Sequence, residues 1–389
     1  MWPWAPSPFA GPKWVVTALA AAASAALLPR EARRPGGVAL AALANLAVCV
    51  LSLVLSDGAG PWWTLAGPVL IACLALTGPP VPWSAVAWAG GLCSLVVLLQ
   101  ALGVDPFASF GPEAEGTRLV RYGTLGNPDF VASVLGVTGP LTLVAALRAS
   151  GWRGRLVAGS AALQLLGLAV LRSFATTLSL GAAALVALAA SRKDGHRRRL
   201  GLALAAGLVV SAIPLAGRSA VSAAQGRWYL LTTAAPHVVE APWLGQGPGA
   251  VAVHWPVWEL ERWRARCGTD PACVAAHPES RFAGLQDHVH DDWLERLLEA
   301  GVVGLVALGA LFGAAFVAAL RSRTLEGVGV AAGLASLAAR AAVDFPLARP
   351  ADLVLLAVLC GGAAGLSRAD LVDGPRGSPR DSGTPGRVP

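Results

Sequence analysis

No charged residue interrupts the sequence between Leu156 and Leu171, nor between Leu200 and Gly217. Apolar runs of this kind recur along most of the chain, and each approaches the roughly 20 residues that a helix needs to cross the hydrocarbon core of a bilayer. Hydrocarbon offers backbone N–H and C=O groups no partner, so such a segment must be a helix or part of a closed barrel. A barrel would alternate apolar and polar positions over short segments, and these runs do not alternate. The expected fold is all-α, a polytopic helical membrane protein. Composition agrees: of 389 residues, 55% are hydrophobic and 14% charged, with a mean hydropathy of +0.60, where a soluble domain carries about 25% charged residues. An ordinary soluble enzyme, a coiled coil, a disordered chain and a disulfide scaffold are all excluded.

The apolar windows give about eleven spans, centred roughly on residues 21, 46, 70, 93, 138, 163, 182, 208, 310, 335 and 358. Basic clusters follow at Arg30, Arg33 and Arg34, at Arg148, Arg153 and Arg155, at Arg192, Lys193, Arg197, Arg198 and Arg199, and at Arg321 and Arg323. Each falls after an odd-numbered span, which places all of them on the cytoplasmic side by the positive-inside rule. The formal charge of +7 is thus spent on orientation, and nucleic acid is not an expected partner. The organisation read from this pattern is eight spans over residues 1–217 with an outer loop near 104–127, a large outer loop over 218–291, three further spans over 292–367, and a disordered cytoplasmic tail over 368–389. Lys13 and the Ala-rich run after it have the outline of a signal peptide, but they lead into arginines rather than a cleavage site and read better as a short first helix.

The large outer loop holds five of the six histidines and five of the fourteen tryptophans, so chemistry is expected there. Cys267 and Cys273 lie together in it and would close a small disulfide in an oxidising compartment; the other four cysteines sit singly in apolar segments, and no cysteine–histidine spacing for zinc occurs. At the end of the loop stands His288-Val-His290-Asp291-Asp292-Trp293. The two aspartates suit a helix N-terminus, and Trp293, Leu294, Leu297 and Leu298 form an apolar stripe entering the next span. His290 is therefore expected at the outer mouth of a helix, as a proton acceptor. The same residues would also serve as a plain solvated helix start, or, with His288 and Asp292, as ligands of a divalent metal.

Arg227 precedes Pro242-Trp-Leu-Gly245-Gln-Gly247, a pairing of planar cation and glycine amides that suits a diphosphate and would equally fit an interfacial anchor beside an ordinary loop. Trp255, Trp258 and Trp263 alternate with charged residues, as in a helix lying on lipid headgroups. Arg118, Arg121 and Asn127 stand at the entrance to the fifth span, and Arg172, Arg218 and Arg349 also fall on the outer side. Cations placed against the orientation rule suggest a bound anion. Arg340 and Asp344, spaced i,i+4 in an apolar setting, fit either a functional or a structural pair.

Four stretches in order, Gly123-Thr-Leu-Gly-Asn127-Pro128-Asp, Arg227 leading to Pro242-Trp-Leu-Gly245-Gln-Gly247, His290-Asp291 with nine residues to Gly301, and Asp344-Phe-Pro-Leu347, resemble the O-antigen ligase and O-antigen polymerase superfamily of bacterial membrane glycosyltransferases. The resemblance covers roughly residues 118–360. It implies transfer of a glycan from undecaprenyl diphosphate, on the periplasmic face of the inner membrane, to a hydroxyl on lipid A-core, on another lipid-linked glycan or on a protein, as in lipopolysaccharide or envelope-polysaccharide synthesis. It implies no metal or nucleotide cofactor. Arg227 would bind the diphosphate, His290 would act on the acceptor hydroxyl, and Arg118, Arg121, Asn127, Arg172, Arg218, Gly245, Gly247, Asp291 and Arg349 would line the substrate. Two departures stand out. The family's Asn after the histidine is Asp291 here, and the arginine of a Ser-Arg-Gly-Ala stretch is replaced in Ser179-Leu180-Gly181-Ala182, leaving Arg172 as the cation that would substitute. The competing expectation is a transporter or flippase for a lipid-linked or anionic substrate, which would place its polar groups near the bilayer midplane.

Overall fold

The computed structural model describes residues 36–56, 62–107, 121–191, 194–212 and 220–373. The expected span near residue 21, Arg118, Arg218 and most of the polar tail lie outside them. The described residues form helices and no strands. We number the helices α1 (Gly37–Leu55), α2 (Ala66–Thr77), α3 (Trp83–Ala101), α4 (Pro128–Arg148), α5 (Gly151–Leu171), α6 (Phe174–Ala189), α7 (Gly195–Ala212), α8 (Ala220–Ala234), α9 (Ala250–Cys267), α10 (Pro271–Ala276), α11 (Asp292–Arg321), α12 (Leu325–Ala341) and α13 (Pro350–Asp373). Among the described residues, six segments are long and apolar enough to cross a membrane: α1, α3, α4, α5, α11 and residues 350–368 of α13. Helices α2 and α6 are apolar but shorter.

Local chemistry sets the ends of these helices. Asn127 caps α4 by accepting the Asp129 amide at 2.8 Å, with Pro128 in the first helical position, where its missing N–H costs nothing. Gly78, in the left-handed region, ends α2, and Arg368 donates to the orphan carbonyls of Leu76 (2.6 Å) and Thr77 (2.7 Å).

Packing divides the bundle into two apolar cores. One joins α1, α2, α11 and α13, the other α5, α6 and α7, and α3, α4 and α12 contribute to both. Helix α4 is accordingly central, with 72% of its apolar window buried, whereas α1 and α5, at 33%, present most of theirs outward. At mid-depth Thr138 donates to Gln164 (2.9 Å), which in turn donates to Thr142 (2.9 Å), so these buried polar groups satisfy one another between α4 and α5. Basic residues gather at one end of the bundle, where Arg148 pairs with Glu326 at 2.9 Å and Arg197 donates to the Arg323 carbonyl. The polar network described below sits at the opposite end.

The segment between α7 and α11 is a small packed unit with its own core. Trp255, Trp258 and Trp263, at 0%, 3% and 7% exposure, share this core; Trp255 and Trp263 pack on Tyr229, Trp258 stacks on His237, and the Trp255 indole donates to the Gly284 carbonyl at 2.8 Å. This corrects the expectation that these tryptophans lie on lipid headgroups. Their charged neighbours are occupied too: Arg262 spans Tyr229 and, with Arg266, grips Glu279 at 2.8 and 2.6 Å, which holds that carboxyl below its usual range. The large hydrophobic residues that α9 leaves exposed are Val253, Val257 and Leu260. A disulfide joins Cys267 to Cys273, with 5.6 Å between their Cα atoms, and closes the turn between α9 and α10.

Candidate functional site

The site begins at a break in α11. Gly301 leaves the helical region (φ 65°, ψ −168°), so the amides of Val302 and Val303 lose the carbonyls of Leu298 and Glu299 four residues earlier. The loop before α9 replaces both partners. Val302 and Val303 donate to the carbonyls of Pro242 (2.8 Å) and Trp243 (3.2 Å), while Leu298 and Glu299 accept from the amides of Gln246 (2.8 Å) and Gly247 (3.0 Å). These four backbone groups thus each keep a partner across the break. The approach is backbone to backbone: a Cβ on Gly245 would lie 2.2 Å from the Glu299 carbonyl carbon, and one on Gly301 2.2 Å from that of Trp243. Gly245 also donates to Ala241 (3.0 Å), so the amides of Gly245 and Gly247, expected to face an anion, are already paired within the chain. Gly301→Ala is expected to cost about 1–3 kcal/mol of overpacking and a further 1–3 kcal/mol, roughly, for backbone angles open essentially to glycine alone. Thermal unfolding in detergent checks it, with Gly309→Ala, where a Cβ meets nothing, leaving the midpoint near that of the wild type.

Before the break, Asp291 caps α11 by accepting the amides of Trp293 and Leu294, both at 3.0 Å; burial raises its pKa against the pull of those bonds. His290 is one of three non-glycine residues with positive φ (58°) among those described, a conformation that costs about 1–2 kcal/mol. Its neighbours fix it there. Val289 is fully buried with its amide on Glu295 (3.2 Å), and His288 shares a 2.7 Å hydrogen bond with Glu295 through Nδ1.

Asp344, between α12 and α13, is the centre of the buried charges. It accepts from Arg340 at 2.6 and 2.9 Å and from Arg349 at 3.3 Å, and its other oxygen lies 3.7 Å from His290 Nδ1. Burial opposes its charge, but the two guanidiniums outweigh it and hold its carboxyl well below the ordinary range. Arg340, 1% exposed, also donates to Thr176 (2.5 Å) and to the Asp129 carbonyl (2.8 Å). Arg349 continues the network to Asp352 (2.9 Å) and Ser133 (3.1 Å). Next to Asp344, the Phe345 ring stacks on His288 (centroids 4.4 Å apart, 16° between planes) and meets His290 edge-on (4.7 Å, 86°).

Arg227 reaches this centre from α8. Its Nε donates to the Val343 carbonyl at 2.7 Å, while its two terminal amino groups have no hydrogen-bond partner among the described residues. Arg227, His288 and His290 thus converge on the three consecutive residues Val343, Asp344 and Phe345.

The other residues singled out in the sequence have different surroundings. Arg349 lies 6% exposed between two carboxylates, Asn127 serves as a cap, and Arg121 donates to the Val170 carbonyl at 3.1 Å. Arg172 ends α5 as an exposed residue in left-handed conformation. Leu180, where the resemblance expects an arginine, is buried in the second core; the cation that touches α6 is Arg340, on Thr176 one turn earlier. His288, His290 and Asp292 do not gather as metal ligands, since they are directed to Glu295, Asp344 and the Leu347 amide respectively. Sequence reasoning missed Glu295, Ser133 and Asp352. Asp352, three residues after Arg349 at the start of a helix, was the findable one.

No protein-family model matches the chain, and no curated protein matches it significantly.

Proposed function

We propose that this chain is a metal-independent membrane glycosyltransferase, moving a glycan from a polyprenyl diphosphate, undecaprenyl diphosphate in a bacterial inner membrane, to an acceptor hydroxyl, by the reaction of O-antigen ligases and polymerases. One observation carries the reading: an arginine whose terminal amino groups have no partner among the described residues and a strained histidine meet on the same three residues, at the end of the bundle away from the basic clusters. On the eleven-span topology that end faces the periplasm. The acceptor oxygen attacks the anomeric carbon, the bond from that carbon to the diphosphate breaks, and its electron pair leaves on the diphosphate. His290 takes the acceptor proton, and Arg227 offers a planar fork to the developing negative charge.

The transporter alternative asks for unsatisfied polar groups at mid-depth. Gln164, Thr138 and Thr142 are there and satisfy one another, while the buried Ser94 hydroxyl on α3, without a partner among the described residues, is a single neutral group, too little to hold a lipid-linked or anionic substrate.

The expected result for Arg227→Ala is a folded, inserted protein whose transfer rate falls about 10²–10³-fold, the effect of removing one donor to a developing charge. Arg227→Lys restores only part of the rate, because an ammonium lacks the bidentate geometry. Proteoliposomes supplied with lipid-linked glycans from cell membranes, assayed for released polyprenyl diphosphate, provide the measurement. A wild-type rate for Arg227→Ala would remove the residue from the mechanism.

A further inference from the structure

Two histidines flank Phe345, and they are held differently. His290 faces Asp344 at 3.7 Å, across a carboxylate already gripped by two arginines. His288 has a carboxylate of its own, Glu295 at 2.7 Å on Nδ1, lies flat on Phe345, and keeps 30% of its side chain exposed. Its Nε2 has no hydrogen-bond partner among the described residues. The ring is therefore fixed in place and orientation with one nitrogen offered outward, the arrangement by which a carboxylate orients a working imidazole.

We propose that His288 is a second substrate-binding group of the site, presenting Nε2–H to a diphosphate oxygen of the lipid carrier alongside Arg227, and that Glu295 is the positioning residue that holds it there. The assignment rests on the glycan-transfer reading above and adds the part of the site that receives the leaving group. It separates the two histidines by role: His290 accepts a proton from the acceptor hydroxyl, while His288 keeps its proton and donates a hydrogen bond to the anion. No proton passes from His288 in the step, so the diphosphate leaves with the electron pair of the broken C–O bond. The surroundings favour a charged His288. Burial works against protonation, but Glu295, with Glu299 on the same helix and Asp287 in the same loop, outweighs it and raises the pKa above the ordinary histidine value. Arg227, Asp291, Asp344, Arg349 and His290 are the other charged or titratable groups around the His288–Phe345 pair; Arg227, bonded to the Val343 carbonyl, opposes a charged imidazole, and the Asp344 charge is already matched by Arg340 and Arg349.

Binding of farnesyl diphosphate and farnesyl monophosphate to the purified full chain in lipid nanodiscs, measured across pH, tests the assignment. The wild type is expected to prefer the diphosphate and to lose that preference as pH rises through the titration of His288. His288→Gln, which keeps a side chain able to bond Glu295 but removes the charge, is expected to weaken diphosphate binding about tenfold, the size of one charge-assisted hydrogen bond, and to flatten the pH curve. Glu295→Gln is expected to move the loss of binding to lower pH, because the carboxylate that sustains the imidazolium is gone. A purely structural Glu295 would not produce that displacement. His254→Gln, at a histidine stacked on Trp258 away from the site, leaves affinity and curve unchanged. If His288→Gln binds like the wild type with the same pH curve, the role given to His288 is wrong and the glycan-transfer reading stands. If the wild type binds both lipids equally, that reading falls with it.

Discussion

Asp344→Ala is expected to destabilise the protein by about 3–5 kcal/mol, the cost of removing one partner from a buried ion pair. Arg340 is 1% exposed, and Asp344 is its only ion-pair partner among the described residues; without it the guanidinium keeps Thr176 and the Asp129 carbonyl but no carboxylate in direct contact. Arg349 retains Asp352, so the damage centres on α12. The unfavourable term is the uncompensated charge, and the double variant Asp344→Ala/Arg340→Met should recover much of the loss in thermal unfolding, a coupling that a double-mutant cycle reads directly. Breaking Arg148–Glu326 at the other end, where the Arg148 side chain is 48% exposed, should cost no more than about 1 kcal/mol. Equal effects at the two ends would mean that the Asp344 cluster is solvated in the folded protein.

His290→Gly is expected to abolish function while leaving stability intact or improved. Removing a general base lowers the transfer rate about 10²–10⁴-fold. The left-handed backbone of His290 (φ 58°) costs about 1–2 kcal/mol that glycine does not bear, and the extra unfolded-state entropy of glycine offsets only about 0.5–1 kcal/mol of that gain. A residue that strains the chain where a glycine would relax it is a mark of a working site. Transfer rate and unfolding midpoint, measured on one preparation, should move apart. If the midpoint falls by several degrees with the rate, His290 is holding the loop rather than serving the reaction.

How much of this was readable beforehand follows the range of the interactions. Helices stand where apolar runs were read from residue 46 onward, because a bilayer-length run without charge has one way to satisfy its backbone. The Asp291 cap and the stripe behind it are local and were legible for the same reason. The glycine-rich loop was not: Gly245 and Gly247 have the composition of an anion cradle, but their amides serve Ala241 and Glu299, and pairing with a broken helix more than fifty residues away leaves no local trace. The α9 tryptophans misled in the opposite direction. A helix with alternating aromatic and charged residues reads the same whether its aromatic face meets lipid or a small protein core, and Tyr229, which decides it, comes from another helix. Arg349 stood out as an unneutralised cation until Asp344 and Asp352 were brought to either side of it. His288 and Glu295, seven positions apart across a helix start, had no periodicity to announce them.

The most direct test of the central claim is to reconstitute the purified chain in vesicles containing lipid-linked glycans extracted from membranes and follow the bond between sugar and diphosphate. Glycan transfer predicts that free polyprenyl diphosphate accumulates with the wild type and not with His290→Gly or Arg227→Ala. Movement of intact lipid-linked glycan between leaflets, with that bond unbroken, would contradict it.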